Sequence, residues 1–337
     1  MFKNLYKKLL FILLMAVLLL PLVQKQWVLI KEEPLDGAFD PIPETEFKWF
    51  TWKKWMNEDF QKKFNESLEA HTGFKNTLIQ LNNQVDFSLF RKTNTQKAII
   101  GKEGCLFEGG YIWEYIGRGF MGKNSADSLL GKTKKLQDFL KKEKGIDLIL
   151  VFEPGKASYY PEYIPDIFDV EHKTMSNYTY FTQKCKEKDI LHLDINAWFM
   201  AMKDTISYPL YPWNGIHWST YGMCLASDTL IKFMEHTCGI DMPNIFWNNI
   251  TVTNELEDCD FDLEKTLNLL WKMPTENLAY PNKQFETDST KIRPRVLTIA
   301  DSYFWSIYDN EIPQHCFGDH QFWYYNKAVY PHIFGED

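Results

Sequence analysis

Two short stretches far apart in the chain hold the residue types that acyl transfer needs. Trp213-Asn214-Gly215-Ile216-His217-Trp218 offers an imidazole in a turn, and Val296-Leu297-Thr298-Ile299-Ala300-Asp301-Ser302 is an apolar, β-branched run ending in a hydroxyl. A serine becomes a competent nucleophile when a neighbouring base takes its proton, and histidine is the usual base. If the fold joins them, Ser302 and His217 form a nucleophile–base pair. A triad also needs a carboxylate to orient the imidazole. None stands two or three residues before His217, where Gly215 and Asn214 lie. Asp194, at the end of a predicted strand, and Asp301, beside the serine, are the nearest acids by topology. The other arrangement is a dyad held by Asn214 or by a backbone carbonyl.

Neither stretch is specific alone. Asp-Ser after a strand commonly caps a helix, and a histidine between tryptophans is commonly packed in a core. Further candidates lie on a second polar turn, Glu153-Pro154-Gly155-Lys156, where Lys156 could bind a sugar or carboxylate. Tyr160, in the run Tyr159 to Tyr163, could stack on a sugar ring, and Trp218 could line the same site. The competing readings are a solvated lysine and aromatics used for packing.

These residues need a scaffold that ends strands at one edge. Apolar runs at Ala98–Gly101, Leu148–Phe152, Ile190–Asp194 and Arg295–Ala300 read as strands. They alternate with helical patterns at Ser128–Glu143, Met175–Lys188 and Ser219–His236, and this order predicts an α/β fold with a mostly parallel sheet. Leu129, Leu136, Phe139 and Leu140 make the expected core face of the first of these helices. Ser219 is the expected cap of the third, and Gly239 its stop. Gly239 to Arg293, with three prolines and one helical stretch at Leu263–Trp271, reads as an irregular insertion before the nucleophile strand.

The N-terminus sets the compartment. Lys3, Lys7 and Lys8 precede an uncharged run from Leu9 to Val23, the layout of an export signal. That run is about 22 Å long as a helix, short of a hydrocarbon core of about 30 Å. No small-x-small site follows Val23, however, and Trp27 to Ile30 can extend the span while Lys25 snorkels. We therefore expect an uncleaved anchor over 1–30, with a cleaved signal as the alternative. A Pro-rich tether and helical segment over 31–95 comes next, and then a catalytic domain over 96–337.

With 337 residues, 45% apolar, the chain can bury a large core. Its net charge of −8 argues against a nucleic-acid partner. Six scattered cysteines form no metal-ligand spacing, so neither a metal nor a cofactor is expected, and free buried thiols compete evenly with disulfides.

Taken together, four landmarks resemble the SGNH-hydrolase-like domain of the alginate O-acetyltransferase family, the AlgX/AlgJ type. They are Gly101-Lys102-Glu103-Gly104-Cys105-Leu106-Phe107, then Val151 to Lys156 with Tyr160-Pro161-Glu162-Tyr163, then His217 to Gly222, and finally Ala300-Asp301-Ser302-Tyr303. The resemblance implies a three-layer α/β sandwich that transfers acetyl groups to an exported polysaccharide in the periplasm, held at the inner membrane. It implies Ser302 as nucleophile, His217 as base, and a membrane O-acyltransferase as acetyl donor. It also implies an aspartate two residues before the histidine, where this chain has Gly215. The same residues could serve a carbohydrate acetyl esterase, and the fold without its acid could serve as a non-catalytic glycan-binding or assembly protein.

Overall fold

In a computed structural model, residues 2–36, 52–56, 58–70, 72–95, 97–153, 155–325 and 327–331 are described. The chain forms two units: Met1–Thr95 with Lys265–Lys272, and Gln96–Glu264 with Met273–Asp337. Of the predicted tether, residues 37–43 lie outside the described range, as do Trp49 of the helical segment and Pro154 of the second polar turn.

The first unit begins with α1 (Phe2–Trp27), which continues through Pro21 beyond the uncharged run that marks it in the sequence. Its stretch Leu5–Trp27, 23 residues with a mean hydropathy of 2.2, is long and apolar enough to cross a membrane. At 1.5 Å per residue it spans about 35 Å, which removes the shortfall of the shorter run. A turn at Trp52–Trp55 (α2) precedes α3 (Glu58–Ala70) and α4 (Lys75–Phe90). The apolar residues Leu78, Leu81, Val85 and Leu89 of α4 are exposed. Its polar residues make the contacts instead: Asn83 Nδ2 donates to Leu267 O at 2.9 Å, and Gln84 Oε1 accepts from Trp271 N at 3.1 Å.

In the second unit, β1 (Ala98–Ile100) and β2 (Leu106–Glu108) form an antiparallel hairpin that leads into α5 (Gly109–Tyr115). Next come α6 (Lys123–Phe139), β3 (Leu150–Phe152), a helical turn α7 (Lys156–Tyr159), α8 (Asn177–Glu187), β4 (His192–Asp194) and α9 (Ile195–Met202). Strands β3 and β4 pair in parallel, joined by a crossover that contains α8.

The helix after the histidine, α10 (Thr220–Cys238), has the predicted ends. Ser219 Oγ accepts from Gly222 N at 3.1 Å, and Gly239 closes it in the left-handed region at φ 66°. The segment beyond Gly239 is more regular than its prolines suggest. β5 (Ile245–Thr253) and β6 (Leu278–Phe285) form a long antiparallel hairpin, and between them lies α11 (Asp262–Leu267). The register shifts between Trp247 and Ile250, and Pro281 sits opposite Ile250 just after that irregularity. Proline is tolerated in a strand at such a place.

The strand that precedes Ser302, β7 (Val296–Ala300), leads to α12 (Tyr303–Asp309) and α13 (Ile312–Cys316). β8 (His320–Tyr324) then pairs parallel with β7, and β9 (Ala328–Tyr330) pairs antiparallel with β8. Parallel pairing thus occurs in the β3–β4 and β7–β8 ladders. β7 itself alternates: Leu297 and Ile299 are exposed, while Val296 and Ala300 pack against the core. That core gathers Phe199, Tyr211, Trp218, Tyr303, Phe304 and Phe322. All six cysteines are free thiols, four of them buried.

Candidate active site

Ser302 follows the carboxyl end of β7 and immediately precedes α12, yet its side chain makes no capping bond. Asp301 caps the helix instead: its Oδ1 accepts from Tyr303 N at 3.0 Å. The serine hydroxyl is thereby left for another partner, and its Oγ lies 2.9 Å from His217 Nε2. The other ring nitrogen, Nδ1, lies 2.6 Å from Asp262 Oδ2. With Asp262 ionised, Nδ1 carries the proton and Nε2 is left to accept from the serine. Ser302, His217 and Asp262 form a continuous relay.

Asp262 is not among the acids expected from the sequence. Asp194 caps α9, accepting from Ala197 N at 2.9 Å, and also accepts from Tyr178 OH at 3.0 Å. Asp301 is occupied at α12. Asn214 is buried, its Nδ2 donating to Glu264 Oε2 at 2.8 Å and to Pro274 O at 3.3 Å. None of the three orients His217. A signal was present: Glu257, Asp258, Asp260, Asp262 and Glu264 put five carboxylates into eight residues of the supposed insertion.

Two residues before the histidine, at Gly215, there is no room for a side chain. A Cβ on Gly215 would meet Asp260 O and Cys259 O at 2.8 Å each, and Pro212 Cγ at 2.9 Å. Real Cβ atoms do not come this close to backbone, so position 215 holds no side chain while the 259–262 segment stays in place. That same segment presents Asp262 to the imidazole, and the second oxygen of Asp262 accepts from Ile216 N at 2.8 Å.

The histidine turn is tied on every side. Lys156 is buried, and its Nζ donates to Trp213 O at 2.8 Å and to Gly215 O at 2.9 Å. Where the sequence suggested a sugar- or carboxylate-binding lysine, both of these bonds go to the backbone of the histidine turn. Burial pulls its ammonium below the usual lysine range, while the charges of Cys105, Glu276 and Asp262 oppose that shift. Glu276 accepts from Trp213 N at 2.8 Å. Burial pushes its carboxyl up to about 7, against the pull of the Trp213 amide and of Lys156. Glu264 N donates to Asn214 O at 3.0 Å, and Tyr303 OH donates to Ile216 O at 3.2 Å. The Tyr303 ring also meets the imidazole edge to face at 4.9 Å.

The aromatic candidates divide differently from expectation. Trp218 is 1% exposed and donates its indole N–H to Ser306 Oγ at 2.6 Å, so it is a core residue. Tyr160 is half-buried in a cluster with Tyr159, Tyr163 and Tyr211. Near the serine, Glu153 hydrogen-bonds to Asp301, and burial together with the Asp301 charge raises its carboxyl well above the usual range.

A family model described as the SGNH hydrolase-like domain of acetyltransferase AlgX matches residues 99–290, a range that holds His217 and Asp262 and stops before Ser302. No curated protein sequence matches significantly. Among solved structures, the chain is similar to the O-acetyltransferase domain of Pseudomonas putida AlgJ, with 16% identity over 67% of this chain and 78% of that one and a TM-score of 0.40. For Pseudomonas aeruginosa AlgX the values are 15%, 71%, 59% and 0.46. For Bacillus cereus PatB1 in its sulfonyl adduct they are 11%, 59%, 79% and 0.40. The family match covers more than half of a chain whose strands and helices build an SGNH-hydrolase-like α/β fold, and the chain therefore belongs to the AlgX-type family of acetyltransferase domains.

Proposed function

We propose that this chain is an O-acetyltransferase of an exported polysaccharide, working through an acetyl-Ser302 intermediate. The observation that carries the proposal is the unbroken relay from Ser302 Oγ through both nitrogens of His217 to Asp262. His217 Nε2 takes the serine proton as Oγ attacks the donor's acetyl carbon. Asp262 stabilises the imidazolium that forms. Collapse of the tetrahedral intermediate breaks the bond to the donor's leaving atom, which receives the proton from His217. A sugar hydroxyl then gives its proton to Nε2 and attacks the acetyl-serine, and Ser302 Oγ leaves with that proton restored. Tyr303 N–H is committed to Asp301, so the Ser302 N–H is the donor of this turn assigned to the oxyanion. In this reading α1 lies in the inner membrane, the acetyl group comes from a membrane O-acyltransferase, and transfer takes place in the periplasm.

The test uses the full-length protein in detergent with an activated acetyl ester, with and without an acidic oligosaccharide acceptor. We expect one acetyl group on the Ser302 peptide by mass spectrometry, its passage to the glycan, and loss of both in Ser302→Ala. Acetate release at the same rate with and without acceptor would make the chain an esterase. Undiminished glycan acetylation by Ser302→Ala would refute the mechanism.

A further inference from the structure

Helix α6 turns its apolar stripe the wrong way for a core. Its buried residues are Ala126, Leu130 and Gln137, whereas Leu129, Leu136 and Phe139 are 47%, 48% and 52% exposed. The orientation is fixed. Leu130 packs with Cys185 and Ile190, Gln137 Nε2 donates to Leu148 O at 2.6 Å, and Gln137 Oε1 accepts from Leu191 N at 3.0 Å. Rolling the helix to bury its leucines would break these bonds, so the stripe is built to face outward. Ile146, just beyond the π turn at Leu140–Lys144, adds another exposed apolar side chain.

Positive charge accompanies this stripe, although Lys141 is paired with Asp147 at 2.8 Å and Lys142 with Glu143 at 3.5 Å. Residues 123–146 hold seven lysines against two aspartates and one glutamate, a net of +4 in a chain whose net charge is −8. Lys132 lies within the apolar stripe, with Lys135 and Lys142 alongside it, all three exposed. Exposed leucine and phenylalanine set among lysines on one helix face form an amphipathic surface that fits a headgroup layer, where the apolar side chains enter the acyl boundary and the ammonium groups stay with the phosphates.

We propose that the outer face of α6 docks on an anionic lipid bilayer. Complementary charge selects the partner, and, on the proposed reading of α1 as a membrane anchor, on which this step rests, the chain works beside such a surface. An acidic glycan would satisfy the lysines but has no use for Leu129 and Leu136, so lipid accounts for more of the face. The proposal is independent of the chemistry at Ser302.

The experiment reconstitutes the full chain in nanodiscs that contain a photoactivatable phosphatidylglycerol or a photoactivatable phosphatidylcholine, and maps labelled peptides by mass spectrometry. Peptides of α1 report insertion and should be labelled in both. Peptides spanning Leu129–Phe139 should be labelled roughly tenfold more in the anionic lipid, and should fall to background in a Leu136→Glu/Phe139→Glu variant with an unchanged melting temperature. Label confined to α1, or equal in the two lipids, overturns the proposal. Two other outcomes overturn it in favour of another occupant: crosslinks between α6 helices of two copies, or an acidic oligosaccharide that protects α6 in the absence of lipid.

Discussion

Replacing Asp262 by asparagine separates orientation of the imidazole from packing. The carboxylate makes two bonds, at 2.8 Å from Ile216 N and at 2.6 Å to His217 Nδ1. An asparagine can keep the first through its carbonyl oxygen. Its amide group must then face Nδ1 as a donor, which drives the ring proton to Nε2, the nitrogen that has to accept from Ser302 at 2.9 Å. The fold loses little, because the Ile216 amide stays satisfied. Catalysis loses the correct tautomer, an effect of about 10⁴ in kcat where an equivalent acid has been changed, or roughly 5.4 kcal/mol at 1.36 kcal/mol per decade. Asp262→Ala should differ by also leaving the Ile216 N–H without its partner, at about 1–3 kcal/mol of stability. The assay is the pre-steady-state burst of acetyl-enzyme from an activated ester, with thermal melting alongside. Asp194→Asn and Asp301→Asn serve as comparisons. If Asp262→Asn retains activity within a few fold of the parent while Ser302→Ala is inactive, Asp262 does not orient His217 and the relay has been misassigned.

Four further outcomes concern the histidine turn. Gly215→Ala forces backbone apart at Cys259 and Asp260, so it should cost about 1–3 kcal/mol in stability and lower the burst rate by displacing Asp262. Gly215→Asp should fail to rescue Asp262→Asn for the same steric reason. Lys156→Met keeps the buried stem but leaves Trp213 O and Gly215 O without their donor, so melting should fall by about 1–3 kcal/mol per carbonyl and kcat should fall with it. Glu276 has a folded-state pKa raised from 4.5 to about 7, so between these values the folded state binds more protons than the unfolded one. Its contribution to stability is present in full below about 4.5 and is lost as pH rises through 7, by about 3 kcal/mol in all. Denaturant titrations from pH 4.5 to 8 should show this decline in the parent and a flatter profile in Glu276→Gln. Equal slopes in the two would exclude Glu276 as its source.

Local chemistry made part of this molecule legible in its sequence. The Ser219 cap, the Gly239 stop and the apolar runs that became β3, β4 and β7 are decided within a few residues, and their boundaries needed only small adjustment. Periodicity turns the face of α6 backwards because it reports which residues share a side, not which side is covered. Gln137, polar and so no candidate for a core, fixes that helix by bonding to backbone from two other segments. The β5–β6 hairpin was hidden by Asn248-Asn249 and Pro281, which break alternation around a register shift. The acid was hidden for the same reason. Asp262 lies 45 residues from His217, in the segment between β5 and β6, and nothing near His217 in the sequence points to it.

The order of the relay along the chain also sets a schedule. His217 precedes Asp262 by 45 residues and Ser302 by 85, and α1 precedes all three. A polypeptide emerges from its ribosome in that order. The membrane-length helix is made before the relay, and Ser302 is the last of the relay's three members. On the proposed mechanism the nascent chain is incapable of esterolysis until residue 302 has emerged, long after α1 has been made. On that mechanism, a protein arrested anywhere between α11 and β7 would carry His217 and Asp262 without Ser302, and such incomplete copies would be inert toward acetyl esters.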